Sequence, residues 1–176
     1  TAVRPPQTYR YPACGSCTSV PHIWALGDVK GGPQFTYISL DDFRIVRDAL
    51  YGEGKRAASD RDPAYTVFMD PPLGRVGLTE QAARDKNLDI KVAVLPAAAI
   101  PRARLMGETT GMLKAVVDAK TGTILGCALH CADAGEMINV VETAIRAGKD
   151  YTFLRDMIYT HPSMTEALND LLSKIK

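Results

Sequence analysis

The sequence predicts an α+β fold in which an antiparallel sheet carries helices on one face. Two observations lead to this prediction. Short apolar stretches with strand-like alternation follow one another through turn residues, as they do in hairpins. Amphipathic stretches with helical spacing come after strands and do not alternate strictly with them. The chain also shows no internal repeat and no low-complexity segment.

The composition is that of an ordinary globular protein. Of the 176 residues, 46% are hydrophobic and 23% are charged, and the formal net charge is +1. This balance provides no electrostatic reason to expect a nucleic acid or an acidic membrane as a partner. No apolar run approaches the roughly 20 residues of a membrane helix, and the first residues show no signal-peptide core. We therefore expect a cytoplasmic protein with reduced cysteines.

The chain divides into three regions by composition. Residues 1–22 are rich in proline, tyrosine and small polar residues, and we interpret them as an irregular arm or a cloning remnant. Residues 23–60 form a strand–loop–helix unit that ends in the polar stretch "EGKRAASDRDP". That stretch is the predicted boundary, and residues 61–176 form the second domain.

The strand–loop–helix unit starts with the apolar strand Ile23–Leu26, which runs into Gly27 and Asp28. A glycine-rich loop follows, and then an amphipathic helix of about four turns closed by Gly52. A carboxylate after such a strand can bind a sugar hydroxyl, and the positive end of the helix suits an anionic ligand atom. The same Gly-Asp pair is also typical of an ordinary strand-to-loop turn.

Residues 61–176 contain the predicted sheet. The stretches "AYTVFM", "RVGL" and "IKVAVLP" are strands, and "GMLKAVVDAKTGTILGCALHC" is a hairpin with Gly122 at a turn position that requires positive φ. "TEQAARDKN" is a helix capped by Thr79. "DAGEMINVVETAIRAG" is a helix opened by a capping box from Asp133 to Glu136 and stopped by Gly148. "YTFLRDMIY" is a further short helix.

The closing stretch "YTHPSMTEALNDLL" has two interpretations. Ser163 and Glu166 have the S-x-x-E spacing of a capping box that opens a last helix from Ser163 to Ile175. Alternatively, His161 and Glu166 form a catalytic pair, in which the carboxylate holds an imidazole base. The local sequence alone favours the capping interpretation.

The four cysteines also have two interpretations. Cys14 and Cys17 have C-x-x-C spacing, and with Cys127 and Cys131 they would complete a zinc site. However, Cys127 and Cys131 lie in a predicted apolar strand, where buried inert thiols are common. The C-x-x-C pair lies in a proline-rich segment without the context of a redox motif, so unremarkable cysteines are the favoured interpretation.

Four segments together resemble the flavoprotein pyridine nucleotide–disulfide oxidoreductases, the relatives of glutathione reductase and mercuric reductase. "VPHIWALGDVKGGPQFTYISLDDFRIV" is similar to their second FAD-binding motif. "TVFMDPPLGRVGLTEQAAR" and "LGCALHCADAGEMINVVETAIRAG" resemble the opening and the middle of their C-terminal dimerisation domain, and "THPSMTEAL" resembles their closing His-Pro motif. The stretches "GGPQFTYISLDDFRIVRDAL" and "IPRAR" are most similar to the reactive-chlorine resistance flavoproteins.

The resemblance implies a role for particular residues. Gly27 and Asp28 would bind FAD, with Asp28 on the ribityl chain, and the segment Phe35–Thr36 would bring a helix N-terminus to the flavin ring. His161 would be the acid–base residue, delivered across a homodimer interface into the partner subunit's active site, with Glu166 orienting its ring. NAD(P)H would be the co-substrate, and a small-molecule or disulfide oxidant would accept the electrons.

The sequence also departs from the family pattern. It contains no G-x-G-x-x-G stretch for the FAD pyrophosphate or for NAD(P)H, and no C-x-x-x-x-C redox pair. The resemblance therefore implies a remnant of the FAD-binding domain followed by a complete dimerisation domain. We expect the isolated chain to be a homodimer without bound FAD and without oxidoreductase activity. The alternatives are a homodimeric interaction domain without redox chemistry and a small cysteine-ligated zinc protein.

Overall fold

A computed structural model describes residues 18–20 and 22–176. The contacts within the chain divide it into two units, Thr1–Arg61 and Asp62–Lys176. The arm predicted for residues 1–22 lies almost entirely outside the described residues. No helix among the described residues has the length and apolar character needed to cross a membrane.

The first unit is organised around one long helix, α1 (Thr36–Tyr51), which ends at Gly52 as predicted. Its buried side carries Ile38, Ile45 and Val46 together with one fully buried carboxylate, Asp42. A 3₁₀ turn, Gly27–Lys30, packs against α1. This unit also contains a short 3₁₀ helix, Ala58–Asp60.

One sequence prediction for the first unit is wrong. Ile23–Leu26 does not form an extended strand: Trp24 alone takes part in an isolated β-bridge, and the 3₁₀ turn begins at Gly27. A short apolar stretch needs neighbouring strands to satisfy its backbone, and the described part of this unit contains no sheet. Two apolar side chains of α1, Phe43 and Leu50, are about half exposed, at 50% and 49%.

The second unit contains a five-stranded sheet in which every neighbouring pair is antiparallel. The strand order is β1-β2-β5-β4-β3. The strands are β1 (Tyr65–Val67), β2 (Leu73–Gly77), β3 (Ile90–Pro96), β4 (Met112–Asp118) and β5 (Ile124–His130). The β4–β5 hairpin turns at Gly122, whose φ of +74° agrees with its predicted role. The α+β prediction is therefore confirmed.

Five helices accompany this sheet. They are α2 (Glu80–Asp85), α3 (Pro101–Met106), α4 (Ala134–Arg146), α5 (Tyr151–Arg155) and α6 (Ala167–Leu172). Helix α4 packs on β1, β2 and β5, α6 packs on β3 and β4, and α5 links the two. The cap predicted for α2 is confirmed, since the Thr79 hydroxyl accepts the Ala82 N–H at 2.9 Å.

The helix-covered face of the sheet is the core of the second unit. One row of paired residues across four strands consists of Gly74, Leu129, Leu113 and Leu95, and the three leucines are at most 3% exposed. Gly74 is required in this row because a Cβ there would lie 2.9 Å from the carbonyl carbon of Ala134. The backbone of α4 therefore lies directly on β2.

Two predicted helix starts differ from the structure. Asp133 precedes α4 with φ +56°, a left-handed conformation, and its side chain makes no capping hydrogen bond. An N-cap residue normally has an extended backbone, whereas here three residues must turn the chain from His130 into α4. The last helix begins at Ala167 and not at Ser163, because Ala167 and Leu168 close tighter turns with bonds to the third residue back.

Candidate functional site

The closing stretch brings a histidine and a carboxylate into direct contact. His161 Nδ1 lies 2.9 Å from Glu166 Oε2. The second oxygen of the same carboxylate, Oε1, accepts the Ser163 N–H at 3.2 Å, and the Ser163 hydroxyl accepts the Glu166 N–H at 3.3 Å. The pair and the reciprocal bonds of the capping box therefore exist together.

The surroundings of the pair hold the carboxylate more firmly than the imidazole. The Glu166 side chain is 17% exposed, whereas the His161 side chain is 69% exposed. The Ser163 hydroxyl also donates to the Thr160 carbonyl at 2.7 Å, which fixes the residue immediately before His161. The ring is thus attached at Nδ1 and open to the surroundings on its other side.

This arrangement suits proton transfer. An ionised carboxylate only accepts hydrogen bonds, so Glu166 favours the imidazole tautomer that carries its proton on Nδ1. The Nε2 atom has no hydrogen-bond partner among the described residues and is left to exchange a proton with another group. The described chain thus presents on its surface an imidazole that a carboxylate holds at Nδ1.

One residue at this site was not singled out in the sequence. Asn169, in α6, donates from Nδ2 to the carbonyls of Leu154, Arg155 and Met157 at 3.1, 2.7 and 3.0 Å. Nothing in the local sequence marks it, because its acceptors lie 12–15 residues earlier in the chain. The only signal is that an amide side chain is available where α5 leaves its last carbonyls without intrahelical donors.

The residues expected to bind FAD lie together in the first unit. Gly27 is buried with φ +68°, and a Cβ there would collide with the Ser39 hydroxyl in the first turns of α1. Asp28 follows in the same 3₁₀ turn and is exposed. The turn is therefore held against the start of α1, with the Asp28 side chain exposed.

The start of α1 carries the other two residues. Phe35 occupies the N-cap position, and Thr36 is the first helical residue. The Phe35 ring stacks on the Tyr37 ring at a centroid distance of 5.3 Å. The positive end of the α1 dipole and the Asp28 carboxylate thus belong to one compact unit, while His161 and Glu166 belong to the other.

A buried carboxylate fixes the turn that presents Asp28. Asp42 Oδ2 accepts the Gly27 N–H at 2.9 Å, and Oδ1 lies 2.7 Å from Lys30 Nζ and 2.8 Å from Arg61. Burial alone would raise the pKa of Asp42, but the hydrogen bonds from Lys30, Gly27 and Arg61 outweigh it and hold that pKa below its ordinary value. The turn therefore depends on a charged Asp42.

The two described cysteines have the environment of structural thiols. Cys127 and Cys131 are both buried and free, and burial raises the pKa of each to about 12. Within residues 18–20 and 22–176, no group of three or more histidine, cysteine or acidic side chains is placed to hold a metal. Cys14 and Cys17 lie outside the described residues.

Comparison with known proteins identifies the second unit. Residues 63–172 match the family model for the pyridine nucleotide-disulphide oxidoreductase dimerisation domain. The chain is 60% identical over 160 residues to the probable pyridine nucleotide-disulfide oxidoreductase RclA of Escherichia coli, covering 90% of this chain and 36% of that protein. It is 38% identical over 151 residues to a mercuric reductase of Staphylococcus aureus, with 86% and 28% covered.

A solved structure agrees with these matches. The structure of the HOCl-induced flavoprotein disulfide reductase RclA from E. coli superposes with a TM-score of 0.89 at 58% identity, covering 93% of this chain and 38% of that one. The chain thus spans little more than a third of these RclA relatives. The matched domain and the five-stranded antiparallel sheet agree, and the chain belongs to the pyridine nucleotide-disulphide oxidoreductase family, of which it carries the dimerisation domain.

Proposed function

We propose that this chain is the dimerisation portion of an FAD- and NAD(P)H-dependent disulfide-type oxidoreductase, and that His161 is its acid–base residue. The contact between His161 Nδ1 and Glu166 Oε2 at 2.9 Å carries the proposal. A carboxylate that fixes the imidazole tautomer is the arrangement that a proton-shuttling histidine needs. In this proposal, residues 23–60 are the end of the FAD-binding domain and residues 61–176 are the dimerisation domain.

The chain acts as a homodimer in this account. His161 is 69% exposed, so within its own unit it faces outward and not into a cavity. It is delivered to the active site of the partner subunit, where Nε2 exchanges a proton with a thiol of the redox-active cysteine pair. The Glu166 carboxylate at Nδ1 orients the ring and stabilises the imidazolium that forms.

The first unit contributes to flavin binding. FAD, when bound, would supply the electron transfer between NAD(P)H and the cysteine pair. Asp28 would hold its ribityl hydroxyls, Gly27 would keep the backbone turn that presents Asp28, and Phe35 and Thr36 would place the positive end of α1 near the flavin ring. The final oxidant is a small molecule or a disulfide, and a cytoplasmic location stays a prediction.

A chimera tests the role of His161. The corresponding C-terminal part of E. coli RclA is replaced by residues 18–176 of this chain, which superposes on it at 59% identity with a TM-score of 0.88. NAD(P)H-dependent reduction of a chromogenic aryl disulfide is then compared for the chimera and its His161→Ala variant. General acid–base catalysis typically contributes about 10²- to 10⁴-fold, and we expect a loss in this range.

The matched control is His22→Ala, since His22 is an exposed histidine in the other unit. It should leave turnover unchanged. An unchanged turnover of His161→Ala would contradict the proposal and favour a dimeric interaction domain without redox chemistry.

The isolated chain should be colourless and inactive. The G-x-G-x-x-G loop that supplies much of the affinity for the pyrophosphate of FAD is absent from the sequence. The visible absorption spectrum of the freshly purified chain tests this expectation. A yellow protein, or NADPH-driven reductase turnover by the chain alone, would contradict it.

A further inference from the structure

We propose that Asn169 is a positioning residue for His161. The segment that carries His161 runs from Met157 to His161. The side-chain amide of Asn169 binds the first of these residues, and Glu166 binds the last. The inference rests on the proposed role of His161 as the acid–base residue. It extends that role to a side chain that does not touch the imidazole.

The hydrogen bonds of the Asn169 side chain are made at the C-terminus of α5. The last carbonyls of a helix have no donors within the helix, and α5 ends at Arg155. The Nδ2 of Asn169 donates to the Leu154 and Arg155 carbonyls at 3.1 and 2.7 Å, and also to Met157 at 3.0 Å. The two N–H groups of this amide thus bind three carbonyls, and one N–H group is shared between two of the carbonyls.

The chemistry of the three acceptors requires an amide nitrogen. If the Asn169 amide were reversed, its oxygen would face three carbonyl oxygens and repel them. An aspartate at this position would have the same shape but no donor, and it would place a negative charge against the same oxygens. Among residues of this size, asparagine therefore fits where aspartate does not.

Asn169 and Glu166 act from the same turn. They are three residues apart, and the Asn169 N–H bonds to the Glu166 carbonyl at 3.0 Å. Asn169 holds the chain at Met157, and Glu166 holds it at His161. Side chains from the turn that opens α6 thus form hydrogen bonds at both ends of the segment 157–161.

Tyr159 provides the main other attachment of the segment between these two points. Ile158 is 95% exposed and Met157 is 42% exposed, whereas the Tyr159 side chain packs against the core of this unit. The remaining attachments are the Tyr159 hydroxyl, which donates to the Leu154 carbonyl at 3.2 Å, and the Ser163 hydroxyl on Thr160. Without the amide of Asn169, the backbone before His161 gains freedom, and the imidazole spends less time on Glu166.

The test compares Asn169→Ala and Asn169→Asp with a matched control, Asn139→Ala. Asn139 also donates from its amide to a backbone carbonyl, that of Gly135 at 3.0 Å, but on α4. In the 176-residue chain, the imidazole ¹H–¹⁵N spectrum reports the tautomer of His161 directly. We expect the Nδ1–H tautomer in the wild type and in Asn139→Ala, and a mixture of tautomers in both Asn169 variants.

Kinetics in the RclA chimera provide the second readout. Misplacing a catalytic group by about 1 Å can cost 10²-fold, so we expect kcat to fall about 10- to 100-fold in Asn169→Ala. The KM for NAD(P)H should stay unchanged, because the nicotinamide is not bound by this segment. A purely structural cap of α5 would lower thermal stability without changing kcat or the tautomer of His161.

The outcomes separate this inference from the proposed function. If His161→Ala lowers turnover but Asn169→Ala leaves kcat and the imidazole spectrum unchanged, the inference about Asn169 is overturned alone. If His161→Ala has no effect, the proposed function fails. Should Asn169→Ala not fold, Asn169→Ser keeps one donor and is expected to give an intermediate kcat. A wild-type kcat in that variant overturns the inference.

Discussion

His161 and Glu166 are joined through one carboxylate oxygen at 2.9 Å, and the other oxygen of Glu166 holds the Ser163 amide. The two interpretations of the closing stretch are therefore compatible, because a carboxylate has two oxygens and each has its own partner. The carboxylate that bonds to Ser163 in the turn before α6 also orients the imidazole. Local folding and the proposed chemistry depend here on one side chain.

Replacing Glu166 should affect both the stability of the fold and the orientation of the His161 ring. Glu166→Ala removes the capping-box bond and the partner of His161, so we expect the free energy of unfolding to fall by about 1–2 kcal/mol. The His161 ring should also lose its preference for the Nδ1–H tautomer. Urea denaturation and the imidazole ¹H–¹⁵N spectrum measure the two effects.

The control for this variant is Glu136→Ala. Glu136 lies in the first turn of α4, but the Asp133 cap predicted to accompany it does not form. Because Glu136 is exposed, this substitution should change stability by no more than about 0.5 kcal/mol. An equal loss of unfolding free energy in both variants would show that the hydrogen bonds of Glu166 do not stabilise the fold.

The turn that presents Asp28 should open at low pH. The pKa of Asp42 is lower in the folded chain than in the unfolded chain, so its contribution is present above its unfolded pKa of about 4 and is lost as the pH falls through the folded value. Hydrogen exchange at the Gly27 amide, which bonds to Asp42, should accelerate over that range.

Asp42→Asn should remove this pH dependence and leave the turn weakly protected at every pH. Because it leaves Lys30 and Arg61 without a buried countercharge, we expect a loss of about 3 kcal/mol in the free energy of opening. Asp41→Asn is the matched control, since Asp41 is 22% exposed and its ion pairs with Arg56 and Arg61 are nearer the surface. It should cost less than about 1 kcal/mol.

The contact of α4 with β2 should not tolerate a side chain at Gly74. In Gly74→Ala, the new Cβ would lie 2.9 Å from the Ala134 carbonyl carbon and 3.1 Å from Ile138 Cβ, so α4 must shift. We expect the free energy of unfolding, measured by thermal or urea denaturation, to fall by about 1–3 kcal/mol. Gly135→Ala is the control, because its Cβ would meet only the Thr66 side chain and alanine favours the helix.

The buried cysteines should be inert in the folded protein. With burial raising the pKa of Cys127 and Cys131 to about 12, neither thiol is ionised near neutral pH. Iodoacetamide at pH 8 should label both positions only after denaturation, as peptide mass mapping will show. Rapid labelling of either residue in the native chain would contradict the burial described for Cys127 and Cys131.

The sheet was predictable because its signals are local. The alternation in "IKVAVLP" and the glycine of the β4–β5 turn describe the strands without any knowledge of their neighbours. Thr79 likewise caps α2 through a hydrogen bond three residues away. In each case, the residues that decide the structure are near one another in the chain.

The wrong predictions depend on tertiary context. Ile23–Leu26 has the composition of a strand, but the described part of its unit has no sheet for it to join. Asp133 has the spacing of a cap, but the short connection from β5 to α4 puts it in a left-handed conformation. The spacing of residues does not contain either constraint.

The candidate site was predictable only in part. The resemblance suggested His161 and Glu166, and the structure brings their side chains together. Asn169 was missed because its three acceptors are backbone carbonyls, which every residue has, so no sequence pattern distinguishes them. Such a contact becomes visible only when α5 and α6 are placed side by side.

Mixed dimers of two RclA chimeras test whether His161 serves the active site of the partner subunit. One chimera carries His161→Ala, and the other carries serines in place of the redox-active cysteine pair, so each is expected to be inactive alone. If His161 acts across the interface, unfolding and refolding the two together restores disulfide reductase turnover, because one site in each mixed dimer is complete. If mixing restores no activity while control dimers refolded from unsubstituted chimera are active, the histidine does not act across the interface, and the account is contradicted.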